Sequence, residues 1–298
     1  MPTVSIGVPL WNAEDYVEEA LASLLGQSRR PDEIVVSDNA STDKSLDIVR
    51  GIAAAEPSIR VIRQPENLGA AANFNILATE SDGDLFAWLA ADDVWAEDLL
   101  AGYVRAHQTE DIAVAYGTSY YIDEEGARAG APETAIWSDA TNPVDRIADL
   151  LADPVRSHFH VCHPVFGLCR RSLLLDTGLI RGFGGSDKAL IFELALRGRL
   201  TQVPEAFLRR RHPRSSVPAN PDAVSRRNWF DRRARGAPMP VARLAAALLA
   251  ATVRAPIPAR DRLTVARRLI AWLMSDRRPR IMGGEVKSWV AQSIGGSR

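Results

Sequence analysis

Two adjacent carboxylates, Asp92 and Asp93, close an apolar run that climbs through Phe86, Trp88 and Leu89. Like charges held that close repel each other, and removing them from water costs more still unless a cation stands between them. An acidic surface loop is one reading. The other is a seat for a hard divalent ion, since Mg²⁺ takes one or two carboxylates together with substrate phosphates. Acids and amides recur where other strands should end, at Asp38 and Asn39 and again at Asn67 and Asn73. Such groups can hold a sugar or a base by hydrogen bonds. Neither glycine pattern that cradles phosphate, GxGxxG or GxxxxGK[ST], is present, and the "GFGG" at 182–185 reads as a turn. His158, His160 and His163 suggest a metal cluster at first sight. On a strand, however, His158 and His160 share one face and His163 takes the other. That favours an acceptor-pocket or structural role over zinc.

The elements that must position these residues alternate between strand and helix over the first 125 residues, which favours a mostly parallel sheet. "TVSIGVPL" is a strand, and Asn12 is expected to cap a helix with Val17, Leu21, Leu24 and Leu25 on one face. "EIVVSD" is the second strand, with Ser41 or Thr42 as cap of the next helix and Leu46, Val49 and Ala53 inward. "IRVIRQP" and "GDLFAWLA" are the third and fourth strands. Asp92 and Asp93 therefore sit just past the carboxyl end of a central strand, the edge where open α/β sheets bind ligands. Leu99, Leu100, Tyr103 and Val104 mark a helix, and "VAYGTSYYIDEEG" a strand ending in an acidic turn. From about 130 to 160 the pattern weakens under Pro132, Pro143 and Pro154. "LIFELALRGR" (190–199) reads as helical, and two or three amphipathic helices follow from Ala237 onward.

A chain of 298 residues, 46% hydrophobic, can bury a large core. "MPTVSIGVPL" does not resemble a signal peptide, and the longest apolar run, "LAAALLAATV", is far short of the ~20 residues of a membrane span. Cys162 and Cys169 form neither a disulfide framework nor a CxxC pair, so a cytoplasmic setting is expected. The net charge of −1 hides an asymmetry: residues 1–198 hold 15 Lys/Arg against 31 Asp/Glu, and residues 199–298 hold 21 against 6. A tail that basic either meets a polyanionic surface or packs on the acidic half.

Taken together, "VSIGVPLWNAEDYVEEALASLLGQSRRPDEIVVSDNASTDKSLDIV", "NLGAAANFN", "GDLFAWLAADD" and "GGSDKALIFELALRGRLTQVPEAFLRRRHP" resemble a family 2 glycosyltransferase of the GT-A fold over roughly residues 3–215. The resemblance implies a Rossmann-like, mostly parallel α/β sheet over residues 1–235. Within it, 1–125 would bind nucleotide-sugar and 126–235 the acceptor, and 236–298 would form a basic helical extension. It implies inverting hexosyl or deoxyhexosyl transfer from a UDP-, TDP- or GDP-sugar, with Mg²⁺ or Mn²⁺, onto a saccharide or lipid-linked acceptor in glycan biosynthesis.

By position, Pro9, Leu10, Trp11, Asn12 and Glu14 would line the nucleoside pocket. Asp38 and Asp43 match the first and last acids of the family's Asp-Asp-x-Ser-x-Asp pattern, and Asn39 departs from it where many relatives carry Asp. Asn67, Gly69 and Asn73 would approach the diphosphate and sugar. Asp93 is implied as the direct metal ligand, with Asp92 on ribose, sugar or metal. Asp187 would be the base that takes the acceptor proton, or a helix cap, or both; Ser186 stands where many relatives have an acid. In "RRRHP" (209–213), which matches a basic segment following the last strand in relatives, Arg210 or Arg211 would pair with phosphate oxygens and His212 would meet the metal or diphosphate. A solvated basic loop is the alternative. Trp88 reads as core, whereas Trp95 suits either packing or stacking on an acceptor ring. In the tail, Arg267, Arg268, Arg277, Arg278 and Arg280 lie beside Leu269, Ile270, Trp272, Leu273 and Met274. That pattern suits peripheral contact at the inner face of the plasma membrane, a homodimer contact or a lid; nucleic acid is not an expected partner. A non-catalytic nucleotide- or glycan-binding module is the rival reading. A sugar-nucleotide pyrophosphorylase is a weaker one, because "VPLWNAEDY" lacks a glycine-rich basic loop.

Overall fold

The computed structural model describes residues 1–133, 138–152, 163–211 and 223–295. Its first half alternates as expected: β1 (Val4–Leu10), α1 (Val17–Leu25), β2 (Glu33–Asp38), α2 (Ser45–Ala55), β3 (Ile59–Arg63), α3 (Ala70–Glu80) and β4 (Leu85–Trp88). These strands run in the order β3-β2-β1-β4 and pair in parallel. Next come the short β5 (Val94–Trp95), α4 (Leu99–Ala106), the long β6 (Ile112–Ile122), β7 (Arg128–Glu133), α5 (Pro143–Leu151), a 3-10 turn (His163–Phe166), β8 (Leu168–Arg170), α6 (Arg171–Leu175), α7 (Ser186–Ala195) and β9 (Arg199–Arg211). The sheet continues from β4 through β8, β6 and β9 to β5. There β6 and β9 are parallel, β8 joins β4 to β6 antiparallel, and β7 folds back on β6. Four helices complete the chain: α8 (Ala223–Phe230), α9 (Pro240–Arg254), α10 (Ala259–Leu273) and α11 (Arg278–Gly295).

The period-2 alternation of strand side chains separates two cores. Ile34 and Val36 join β1, α1 and α4 on one face, whereas Val35 faces the other with Phe86, Trp88 and α7. Trp88 is fully buried and its indole N–H donates to the Phe74 carbonyl at 2.8 Å, as its core assignment requires. Gly7 lets α3 lie directly on β1: a Cβ there would come within 2.8 Å of Leu77 and Phe86. Almost every side of α7 is apolar and buried, so it is a central helix rather than a surface one. Ala245, Leu248, Ala251, Val265, Leu269 and Leu273 of α9 and α10 share the α7 core, so the basic extension packs on the body.

Several local expectations need correction. Asn12 does not cap α1, which starts at Val17; its side chain instead accepts the Thr42 N–H at 2.8 Å. Nor do Ser41 and Thr42 cap α2, which starts at Ser45, where the Asp43 carboxylate accepts the Ser45 N–H at 3.0 Å. The helix expected over 190–199 ends at Ala195 because the chain must turn to enter β9 at Arg199. Pro143 breaks nothing: it begins α5 behind Asn142, which accepts the Val144 N–H. In α10 the apolar face formed by Leu269 and Leu273 is spent on internal packing. Among the described residues no helix is long and apolar enough to cross a membrane.

Candidate active site

The strand β4 ends at Trp88, and the chain turns through Leu89 and Ala90, whose carbonyl accepts the Asp93 N–H at 3.0 Å. β5 then locks onto β9, with Val94 opposite Arg209 and Trp95 opposite Leu208. This pairing swings Asp93 inward. It is 3% exposed, its Oδ1 accepts the Arg211 N–H at 3.0 Å, and its Oδ2 lies 3.9 Å from Arg210 Nε. Burial, then the neighbouring Asp92 charge, pushes its carboxyl up to about 7, against the pull of Arg210. Trp95 is 3% exposed and meets Tyr103 edge-on, so it packs in the core and offers no platform for an acceptor ring.

The two arginines behave differently, and neither lies in a loop beyond the last strand: both belong to β9. Arg211 is buried and fully engaged. Its guanidinium donates to the carbonyls of Asp92, Asp123 and Glu124, pairs with the Glu19 carboxylate and lies 4.9 Å from the Tyr16 ring. It straps α1, the β6–β7 turn and the Asp92–Asp93 turn together, so the phosphate-binding role expected of it is ruled out in this arrangement. Arg210 lies between the rings of Phe166 and Tyr121, at 5.3 and 5.8 Å, and its side chain is 24% exposed. His212, His158 and His160 lie outside the described residues, and His163 opens a 3-10 turn rather than continuing a strand.

Asp187 sits in the first turn of α7, two residues after Gly185, the N-cap, whose φ is 88°. It is half-buried, and burial raises its carboxyl above the usual range. The Lys188 charge, first-turn backbone N–H groups and the Arg210 charge pull the other way. The Arg210 charge is thus felt at both Asp93 and Asp187, although 94 positions separate the two carboxylates in the sequence. Ser186 is fully buried with no hydrogen bond from its hydroxyl, so an acid at this position would be desolvated.

At the ends of β1 and β2 two loops are bonded to each other. Asn12 N–H donates to Ser41 Oγ, Glu14 N–H to Asp43, and Lys44 N–H to Glu14, at 3.1, 3.1 and 2.9 Å. Pro9 and Trp11 are accessible here, but Leu10 is 0% exposed and belongs to the core, so it cannot line a pocket with its side chain. Asp38 is equally buried: Oδ1 accepts the Ser41 N–H, and Oδ2 lies 4.0 Å from Arg63. Asn39 accepts the Leu68 N–H and donates to Asn67, which itself accepts the Gly69 N–H. The departure at Asn39 thus serves the 67–69 loop. Asn73 donates to the Ser37 carbonyl, and its Oδ1 is buried without a partner.

Sequence reasoning missed the cover over this loop. Gly69 has φ 89°, and a Cβ there would meet the Phe230 carbonyl at 2.8 Å, so the chain after α8 crosses directly above it. Arg233 pairs with Glu66, while Asp231 abuts Gly182 and Arg226 approaches Gly184. The end of α8 therefore touches both the 67–69 loop and the approach to Asp187. Only the clustering of Arg226, Arg227, Trp229 and Phe230 hinted at it.

A family model described as glycosyl transferase family 2 matches residues 5–178. The chain belongs to this family. Among curated relatives, the putative teichuronic acid biosynthesis glycosyltransferase TuaG of Bacillus subtilis is 30% identical over 47% of this chain and 57% of its own length. The Escherichia coli UDP-Glc:alpha-D-GlcNAc-diphosphoundecaprenol beta-1,3-glucosyltransferase WfaP is 29% identical over 42% of this chain and 49% of its own. The chain thus spans about half the length of the curated relatives it matches. Staphylococcus aureus TarS in complex with UDP-GlcNAc superposes with a TM-score of 0.66 at 16% identity, covering 97% of this chain and 81% of that one. A Pyrobaculum calidifontis mannosyltransferase, PcManGT, solved with GDP-Man and Mn²⁺, gives 0.56 at 19% identity over 100% of this chain and 76% of that one. These likenesses establish the GT-A fold. The glycosyl transferase family 2 match contains Asp38, Asn39, Asn67, Asp92 and Asp93; Asp187 and Arg210 fall beyond it and stand on their geometry.

Proposed function

We propose that the chain is an inverting glycosyltransferase that moves a hexosyl or deoxyhexosyl group from a nucleoside-diphosphate sugar to an acceptor hydroxyl in glycan assembly. The observation that carries this is the buried Asp93, next to Asp92 at the carboxyl edge of the sheet, held by the Arg211 N–H and 3.9 Å from Arg210, whose charge also reaches Asp187. Two adjacent carboxylates, one of them buried, form a hard oxygen donor set that fits Mg²⁺ or Mn²⁺. Asp93, with Asp92, would hold the ion. Bound there, it would offset the charge that builds on a leaving diphosphate. Arg210 supplies a fixed positive charge at the same place, on the side shared with Asp187.

The acceptor oxygen is a weak nucleophile until its proton leaves. Asp187 Oδ takes that proton as the oxygen bonds to the anomeric carbon and the bond to the diphosphate breaks; attack opposite the leaving group inverts the centre. A carboxylate lifted by burial is a stronger base than an exposed one, which suits the task. The bonded loops at 11–14, 38–45 and 67–73 would seat the nucleotide. Relatives and neighbours named for UDP-glucose, UDP-GlcNAc and GDP-mannose support a nucleotide-sugar donor, and one named for a diphosphoundecaprenol acceptor supports a lipid-linked saccharide as acceptor.

The test is a thermal-shift panel of UDP-, TDP- and GDP-sugars with and without Mn²⁺, repeated on Asp93→Ala. A preferred donor should raise Tm in proportion to its occupancy, and the Mn²⁺-dependent part should vanish in the variant. Donor binding indifferent to both Mn²⁺ and Asp93 removes the metal-bridged site. Tight donor binding without any turnover on saccharide or lipid-linked acceptors hands the chain to the binding-module reading.

A further inference from the structure

The helix α10 has two unlike faces. Val265, Leu269 and Leu273 are buried on the side that meets α5 and α9. Arg260, Leu263, Arg267, Ile270 and Met274 recur at the spacing of 3.6 residues per turn and fall in one stripe on the opposite side. Leu263, Ile270 and Met274 are 53%, 52% and 65% exposed, and the Arg260 side chain 87%. Large apolar groups at those exposures gain nothing from facing water.

We propose that this stripe docks the protein on an anionic lipid bilayer, with α10 lying in the interfacial plane. Leucine, isoleucine and methionine interleaved with arginine on one face match an interfacial helix. The apolar tips enter the acyl boundary while arginine stems run alongside and place their guanidinium groups among the phosphates. Charge selects the partner: residues 259–280, α10 and the turn after it, carry 7 Arg against 2 Asp, which an anionic leaflet attracts. A second copy fits less well. In an isologous contact the same patch meets itself, so the arginines of both copies would be gathered at one seam with no acid in the stripe to pair them. Because no helix among the described residues can span a bilayer, the contact is in-plane.

The placement has a use that rests on the transferase reading, although the docking itself does not. α9 packs along α7, and Leu244 in its second turn reaches 3.9 Å from the Cβ position of Gly185, two residues before Asp187. α10 packs on α9 in turn. A docked α10 therefore holds the Asp187 end of α7 close to the surface from which a lipid-linked acceptor would present its hydroxyl.

Co-sedimentation of the full chain with phosphatidylcholine vesicles, with or without phosphatidylglycerol, tests the docking. Binding is expected only with phosphatidylglycerol and should weaken in high salt. Ile270→Glu/Met274→Glu and Arg260→Glu/Arg267→Glu should each lower it by roughly tenfold or more. Tm and the donor thermal shift should stay as in the wild type, which separates a failed docking face from a failed donor site. If the Glu pair lowers Tm, Ile270→Ser/Met274→Ser carries the same test. Wild-type chain that ignores anionic vesicles overturns the proposal, as do folded variants that bind like wild type. So does a wild-type dimer that the apolar variant splits while vesicle binding is unchanged, since the face then belongs to a second copy.

Discussion

Two groups of polar residues share one end of the sheet and treat their polarity in opposite ways. In the loops at 11–14, 38–45 and 67–69, nearly every side chain that could greet a nucleotide is already bonded to a neighbouring loop. By contrast, Asp93 is buried and Asp187 half-buried where water would have stabilised their charges, and both carboxyls are lifted. The loops are preorganised, so a ligand seated on them would bind with little further ordering cost. The carboxylates are held under electrostatic strain, which is the condition in which a carboxylate binds a cation or takes a proton most readily. Satisfied groups give shape; strained groups give chemistry.

The largest expected effect tests the strained side. Asp187→Asn should cut kcat by roughly 10²–10⁴-fold, the usual worth of a general base, with donor affinity retained. The same base sets a pH profile. As the proposed base, Asp187 would have to be deprotonated, and its carboxyl is raised, so kcat/KM should fall with decreasing pH at a point above the normal carboxylate range. A variant near wild-type rate removes the base assignment. Next is the strap between the two groups. Arg211→Met strips donors from three carbonyls and a partner from Glu19, and should cost about 4 kcal/mol in chemical denaturation at about 1 kcal/mol per lost bond.

Two isosteric swaps then set the groups directly against each other. Above pH 7, Asp93→Asn should stabilise the metal-free protein by up to about 4 kcal/mol, at about 1.4 kcal/mol per unit of pKa, while abolishing turnover, because it deletes a buried like charge. The sign follows from linkage: the folded-state carboxyl is lifted to about 7 from 3.8, so the wild type loses stability as pH rises through that window. The advantage of the variant should therefore grow from about pH 4 and level off above 7. Asn39→Asp should do the reverse and destabilise by about 1 kcal/mol, since an oxygen would replace the N–H donor to Asn67. If both swaps move stability in the same direction, the contrast between the groups is wrong.

Much of the strand-end arrangement was legible because parallel strands buried on both faces leave long apolar runs, and those runs place their own ends. Asp38, Asn39, Asp92 and Asp93 were found in that way. Less legible were contacts that only distant pairing creates. "RRR" reads as a basic loop until β9 pairs with β6 and β5, which buries Arg211 and leaves Arg210 beside Asp93. Trp95 is as plausible a sugar platform as a core residue until β5 turns it onto Tyr103. The cap expected of Asn12 failed because the loop made a better bond across to Thr42 than along its own chain.

By itself the sequence determined the alternation of strand and helix, the acids at the sheet edge and the basic tail, since periodicity, turn chemistry and charge are local properties of the chain. Only the tertiary structure decided which arginine is spent on the fold, which apolar face of α10 is buried and which stays outside, and that one arginine's charge reaches both Asp93 and Asp187. Those outcomes depend on long-range packing, where burial sets the worth of every charge.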